Sequence, residues 1–171
     1  MKGKTIGLIT ALLVIALGLP AQAATTKANV YRFMDGSKVA GASSVLSTTD
    51  AGARLQLHTS DLPDGHAITV LFVIFNEPQN CTHGESGLRC GPGDLPPYGG
   101  DDSAVTSIVS VAGHVVGGSG RATFAGRVAA GDTGDALFGP GLINPTTADI
   151  HVIVRDDSDS GAFLQFSPHQ Q

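Results

Sequence analysis

Residues 66–75 read His-Ala-Ile-Thr-Val-Leu-Phe-Val-Ile-Phe, a stretch that is almost continuously apolar and rich in β-branched side chains. A strand that lay half in water would alternate apolar and polar residues. This one does not, so it describes a central strand covered on both faces. It stops at Asn76-Glu77-Pro78, because proline cannot donate to a strand ladder. No long segment elsewhere carries the apolar period of a helix, so the chain has to build its layers from strands.

The flanking segments agree. Val30–Met34 reads as a strand closed by the Asp35-Gly36 turn, and Arg54–His58 alternates so that Leu55 and Leu57 share a face. Asp61–Gly65 turns the chain into the central run. Ala104–Val116 and Arg121–Val128 flank Gly117-Gly118-Ser119-Gly120 and read as a hairpin, with Phe124 pointing inward. Gly131–Pro145 is a second glycine-rich connection. Thr147–Arg155 places Ile150, Val152 and Val154 inward and His151, Ile153 and Arg155 on the other side. After the turn at Asp156–Gly161, Ala162–Phe166 pairs back as the last strand, whereas Ala24–Ala28 reads as a loose start. Short strands punctuated by 23 Gly and 9 Pro imply an all-β fold: one antiparallel Greek-key β-sandwich of seven or eight short strands, without internal repeats.

Met1–Ala23 has a different character. Lys2 and Lys4 precede the apolar stretch Ile6–Leu19, and Ala21-Gln22-Ala23 is a small-x-small cleavage signature. The stretch falls short of the roughly 20 residues that span a bilayer. The expectation is a signal peptide over 1–23 and one domain over 24–171, exported to the periplasm, cell envelope or exterior with no membrane anchor after cleavage. The mature segment carries 8 basic residues against 15 acidic ones, a net of −7. That leaves no basic stripe for a phosphate backbone, so nucleic acid is not an expected partner. In an oxidising compartment the even pair Cys81 and Cys90 favours a disulfide closing a ten-residue ring. A metal-thiolate pair is the rival reading, although nothing else nearby has zinc-site spacing.

Several segments, taken in order, resemble a pattern found in a family of small exported bacterial proteins with no assigned activity. They are Leu62-Pro63-Asp64-Gly65-His66-Ala67, Val73-Ile74-Phe75-Asn76-x-Pro78-x-Asn80-Cys81 and Cys90-Gly91-x-Gly93-Asp94-Leu95. Gly141-Leu142-Ile143-Asn144-Pro145 with Ala148–Asp156 is similar to that family's closing segment. The strand layout also resembles chordin-type and copper-zinc superoxide dismutase sandwiches, but the chain has no His-x-His pair to begin a copper site. What the resemblance implies is fold and export, and nothing about activity.

Residues that carry chemistry are sparse. There is no Gly-x-Ser-x-Gly elbow, and both cysteines are expected to be oxidised, so no nucleophile stands out and no catalytic residue is assigned. His58, His66, His114 and His151 lie on or beside expected strands. A site of His58 and His151 with Asp149 or Asp61 would suit a borderline metal such as copper or zinc. Against this, Leu55/Leu57 and Ile150/Val152 already occupy the core faces, which puts both histidines on solvent faces. The acidic turn Asp156–Gly161 offers oxygen ligands for calcium but departs from the EF-hand pattern, and Asp132–Asp135 is read in the same way. Asn80-Cys81-Thr82 matches a glycosylation sequon, but a signal peptide of bacterial appearance argues against its modification.

The long irregular segment Asn80–Asp102 is the best candidate binding loop. His83, Glu85, Arg89, Asp94, Tyr98, Asp101 and Asp102 supply its charge and its one aromatic. The competing reading is a flap covering an edge strand or an open end of the sandwich. The resulting expectation is an exported, non-enzymatic binding or structural module without a cofactor, whose partner is a small molecule, a glycan or an envelope protein. The alternative is an extracytoplasmic protein binding copper, zinc or calcium.

Overall fold

The computed structural model describes residues 23–84, 87–159 and 161–170, so most of the signal-like segment, and Glu85 of the loop, lie outside the described residues. Two antiparallel sheets face each other. The first contains β1 (Ala24–Ala28), β3 (Ser43–Thr49), β4 (Gly52–Thr59) and β7 (Ala122–Ala129), in the order β1-β3-β4-β7. The second is formed by β2 (Tyr31–Arg32), β5 (Ala67–Phe75), β6 (Thr106–Val115), β8 (Ala136–Phe138), β9 (Asp149–Asp156) and β10 (Ala162–His169). Its order is β2-β10-β9-β5-β6-β8, so β9 returns to lie beside β5, the ordering of a Greek key.

The all-β sandwich agrees with the sequence reading, but the strands are ten among the described residues rather than seven or eight. The strands beyond that reading are β1, β3 and β8, and β10 runs on past the expected Phe166 to His169; polar residues hide β3 and that extension. In β3 the inward positions are Ser44, Leu46 and Thr48, and in β10 they include Gln165, Ser167 and His169, all buried. Neither strand shows apolar alternation, because polar groups on one sheet satisfy polar groups on the other. His169 Nδ1 lies 2.8 Å from Thr26 Oγ1 and its Nε2 2.7 Å from Ser44 Oγ, while Gln165 Nε2 donates to the Ser60 carbonyl at 2.7 Å. The Ala24–Ala28 segment is likewise a strand rather than a loose start, because β3 offers its backbone an antiparallel partner, with Ala24 opposite Thr48.

The expected hairpin of β6 and β7 is also corrected. β6 pairs with β5 and β8, whereas β7 pairs with β4, so the link at 117–120 carries the chain from one sheet to the other. The two strands still meet across the sandwich at Gly126, where a Cβ would come within 2.8 Å of the Val111 carbonyl oxygen. Glycine lets the layers close there.

One apolar core fills the space between the sheets. Leu46, Leu55, Leu57, Phe124 and Val128 come from the four-stranded sheet, and Ile68, Val70, Phe72, Ile74, Ile150, Val152 and Val154 from the other. A second cluster, Val73, Phe75, Cys90, Leu95 and Ala104, lies on the far side of the six-stranded sheet. The central strand β5 is therefore covered on both faces, as its composition demands.

Candidate functional site: an apolar cleft beside the disulfide loop

The chain leaves β5 at Asn76 and re-enters the sheet at Thr106. Between them it folds three short 3-10 turns, Pro78–Asn80, Pro92–Asp94 and Pro96–Tyr98, onto the outer face of the sheet. Cys81 and Cys90 are joined, with their Cα atoms 5.2 Å apart. Cys90 is fully buried against Phe75, so the bridge fills space as well as closing a ring.

Asp94 fastens the two halves of this loop. Its Oδ1 accepts the backbone N–H groups of Thr82 (2.7 Å) and His83 (3.0 Å), and its Oδ2 accepts that of Gly91 (2.9 Å). Burial raises the Asp94 pKa, but these donors outweigh it and hold the carboxyl below its usual range. Gly91 has to be glycine because a Cβ there would sit 2.2 Å from the His83 carbonyl oxygen. At the base, Asn76 donates through Nδ2 to the carbonyls of Val105 (2.9 Å) and Gly141 (3.0 Å) and accepts the Ile143 N–H at 2.7 Å. It holds Val105 in a left-handed conformation (φ 48°) at the point of re-entry.

The loop covers only part of the outer face, and a cleft of about 310 Å³ remains beside it. Its floor is Leu71, Val73 and Phe75 of β5, Ile108 of β6, and His151 and Ile153 of β9. One wall is Gly91, Pro92, Leu95 and Tyr98 of the loop; the other is Phe33, after β2, and Phe163 of β10. The Phe33 and Phe163 rings lie 5.3 Å apart, and Phe166 continues the aromatic row with Tyr31 at 5.4 Å. Phe33 (44% exposed), Met34 (91%) and Tyr98 (58%) form exposed apolar surface at or next to the walls. No Lys, Arg, Asp or Glu lines the cleft among the described residues.

His151 is the polar member of the floor. It is only 8% exposed, with its ring edge-on to Phe75 at 5.3 Å, and burial pushes its pKa down to about 4. Its Nε2 and Ser167 Oγ are the buried side-chain polar atoms without a hydrogen-bond partner among the described residues. The sequence reading put His151 on a solvent face. It does point away from the main core, but the loop encloses that side.

The other candidates are dispersed. His58 projects from the exposed face of the four-stranded sheet, 2.9 Å from Thr123 Oγ1, so the sandwich separates it from His151. Asp61 pairs instead with Arg32, and the buried Asp149 lies 3.8 Å from Arg89 Nε. The metal set of His58, His151 and a carboxylate is therefore not assembled. His66 pairs with Asp156 at 2.7 Å, and Asp157 is engaged by Thr69 and Arg155, so both carboxylates lock the acidic turn rather than converge on an ion. Cys81, Cys90 and Asp94 do lie together, but the sulfurs are spent in the disulfide and the carboxylate holds the loop.

Within the loop itself, His83 Nδ1 is 3.2 Å from Asp94, Asp101 accepts the Ser103 N–H, and Asp102 accepts from Thr106. Of the loop residues expected to bind, Tyr98 alone among those described reaches the cleft. Phe33, Phe163, Pro92 and Leu95 give no sequence signal, because apolar residues in a turn or a proline-rich loop carry no period. The one usable signal was the non-alternating central strand, which required a cover and hence a boundary where the cover ends.

No protein-family model matches the chain, and no curated protein matches it. Among solved structures it is similar to a double mutant of a SOD-like protein from Bacillus subtilis, at 13% sequence identity over 85% of this chain and 97% of that one, with a TM-score of 0.41.

Proposed function

We propose that this protein is an exported, non-enzymatic binding module, and that its site is the cleft between the disulfide-tied loop and the outer face of the six-stranded sheet. The carrying observation is an apolar concavity lined by four of the chain's nine aromatic rings, Phe33, Phe75, Tyr98 and Phe163. Binding sites for small molecules are concave, mostly apolar and largely preformed, and the volume falls at the small end of that class. A glycan fits poorly, since its hydroxyls would lose water against walls that return few hydrogen bonds. Export is supported by the signal-like residues 1–23 and by a disulfide suited to oxidising compartments.

The test uses N-phenyl-1-naphthylamine, a neutral fluorophore that brightens in apolar surroundings. The mature protein is expected to bind it saturably with one-to-one stoichiometry. Ile153→Trp, which fills the floor, should abolish that signal, while Gln56→Trp on the exposed face of the other sheet should not. Non-saturable binding, or equal binding to the filled variant, would overturn the proposal.

A further inference from the structure

Resting on that reading, we infer that the cleft selects an uncharged aromatic alcohol or phenol, its ring held among Phe33, Tyr98 and Phe163 and its hydroxyl hydrogen-bonded to the imidazole of His151. Three observations carry this. First, among the described residues, none that lines the cleft carries a fixed charge, so a carboxylate, phosphate or ammonium ligand would be stripped of water with no counter-ion in return. Second, His151 is more than nine-tenths buried and lines the floor, yet its Nε2 has no partner among the described residues. Buried polar groups are rarely left in that condition, and a ligand is one way to complete them. Third, the walls present ring faces and edges from both sides, an arrangement that favours a planar aromatic guest over a branched aliphatic one.

The choice of a hydroxyl follows from imidazole chemistry. Neutral imidazole has one donor nitrogen and one acceptor nitrogen, and moving the proton from one to the other, the change of tautomer, exchanges their roles. A hydroxyl both donates and accepts, so it can satisfy whichever nitrogen the ring presents. A ketone can only accept, and a hydrocarbon does neither. The burial that keeps His151 neutral removes the attraction a cationic imidazolium would have for an anion.

The experiment compares 2-naphthol, naphthalene and 2-naphthoate on the mature, disulfide-bonded protein by calorimetry. 2-Naphthol should bind about tenfold more tightly than naphthalene, the advantage of one satisfied hydrogen bond in a dry site. 2-Naphthoate should bind more weakly than 2-naphthol by at least that factor. In His151→Leu the 2-naphthol affinity should fall to the naphthalene level while naphthalene itself is unaffected. In the unmodified protein, the imidazole nitrogen resonances of His151 should shift with 2-naphthol and not with naphthalene, which keeps the question answerable if the variant folds poorly. Equal binding of 2-naphthol and naphthalene, or preference for the carboxylate, would overturn this inference and leave the cleft intact as a site. Failure of every aromatic probe together with the neutral fluorophore would overturn the proposed function itself.

Discussion

The outer faces of the two sheets differ sharply, although each backs the same core. Across the four-stranded sheet one row reads Thr25, Ser47, Arg54 and Arg127, directly opposite one another in register. Its outward side chains are mostly polar, and the apolar ones among them, Val45, Ala125 and Ala129, are small, so this face is at home in water. Across the six-stranded sheet the outward positions are Leu71, Val73, Phe75, Ile108 and Ile153, which water would penalise. The contrast shows that an apolar outer face obliges the chain to build a third layer. Here that layer is a loop of glycines and prolines, held by one disulfide and one carboxylate and too small to finish the task. The cleft is the uncovered remainder.

The difference can be tested most severely by truncation. Phe75→Ala, on the covered face, is expected to cost about 3–5 kcal/mol, as for a core phenylalanine. Gln56→Ala, on the open face, should change stability by less than about 0.5 kcal/mol. Denaturant unfolding of both variants checks this, and similar small losses would mean that the loop does not behave as a core layer.

Acid provides the next largest effect. His151 is held near pKa 4 by burial, as is His169 by burial with a smaller push from His151, against an ordinary value of 6.5. Phe75 and the apolar floor surround His151, and His169 is the titratable group that interacts with it. Because the unfolded chain binds these two protons more readily, stability is full above about pH 6.5 and falls as pH drops toward 4. The loss is on the order of 3 kcal/mol per histidine. Measured pH-dependent unfolding should lose about half of that slope in His151→Leu; an unaltered slope would show that the covered face does not enclose the imidazole.

The disulfide contributes less. Replacing Cys81 and Cys90 together by Ser should lower stability by about 2.5 kcal/mol through the lost ring closure. The sandwich should stay folded, because the core between the sheets lies outside the ring. Affinity for the fluorophore should fall as well, since Gly91 and Pro92 follow Cys90 directly in the cleft wall. A variant that melts lower yet binds unchanged would separate the stability of the cover from its role as a wall.

How much of this is legible in the residues varies by region. Leu55 and Leu57, Phe124, and the trio Ile150, Val152 and Val154 announce their inward positions by period alone, and all are buried in the shared core. β3 and the part of β10 beyond Phe166 are not legible in this way, because Ser44 and His169 are each acceptable inside only once the other is present. The residues mark the loop as the candidate site through its charged side chains and Tyr98. Of those described, Asp94 is an internal fastening beneath Thr82 and Gly91, while the lining comes from Tyr98 and from apolar side chains far apart in the chain.

What the residues determined by themselves is local or statistical in origin: extended segments, turns at Gly and Pro, an apolar run needing shelter on two sides, and two cysteines near enough to join. Only the tertiary structure decided what shelters that run, which sheet each neighbour of the 117–120 link joins, and that Phe33, Tyr98, His151 and Phe163 share one hollow. Burial and hydrogen-bond satisfaction belong to pairs of surfaces, and a surface exists only after distant segments have met.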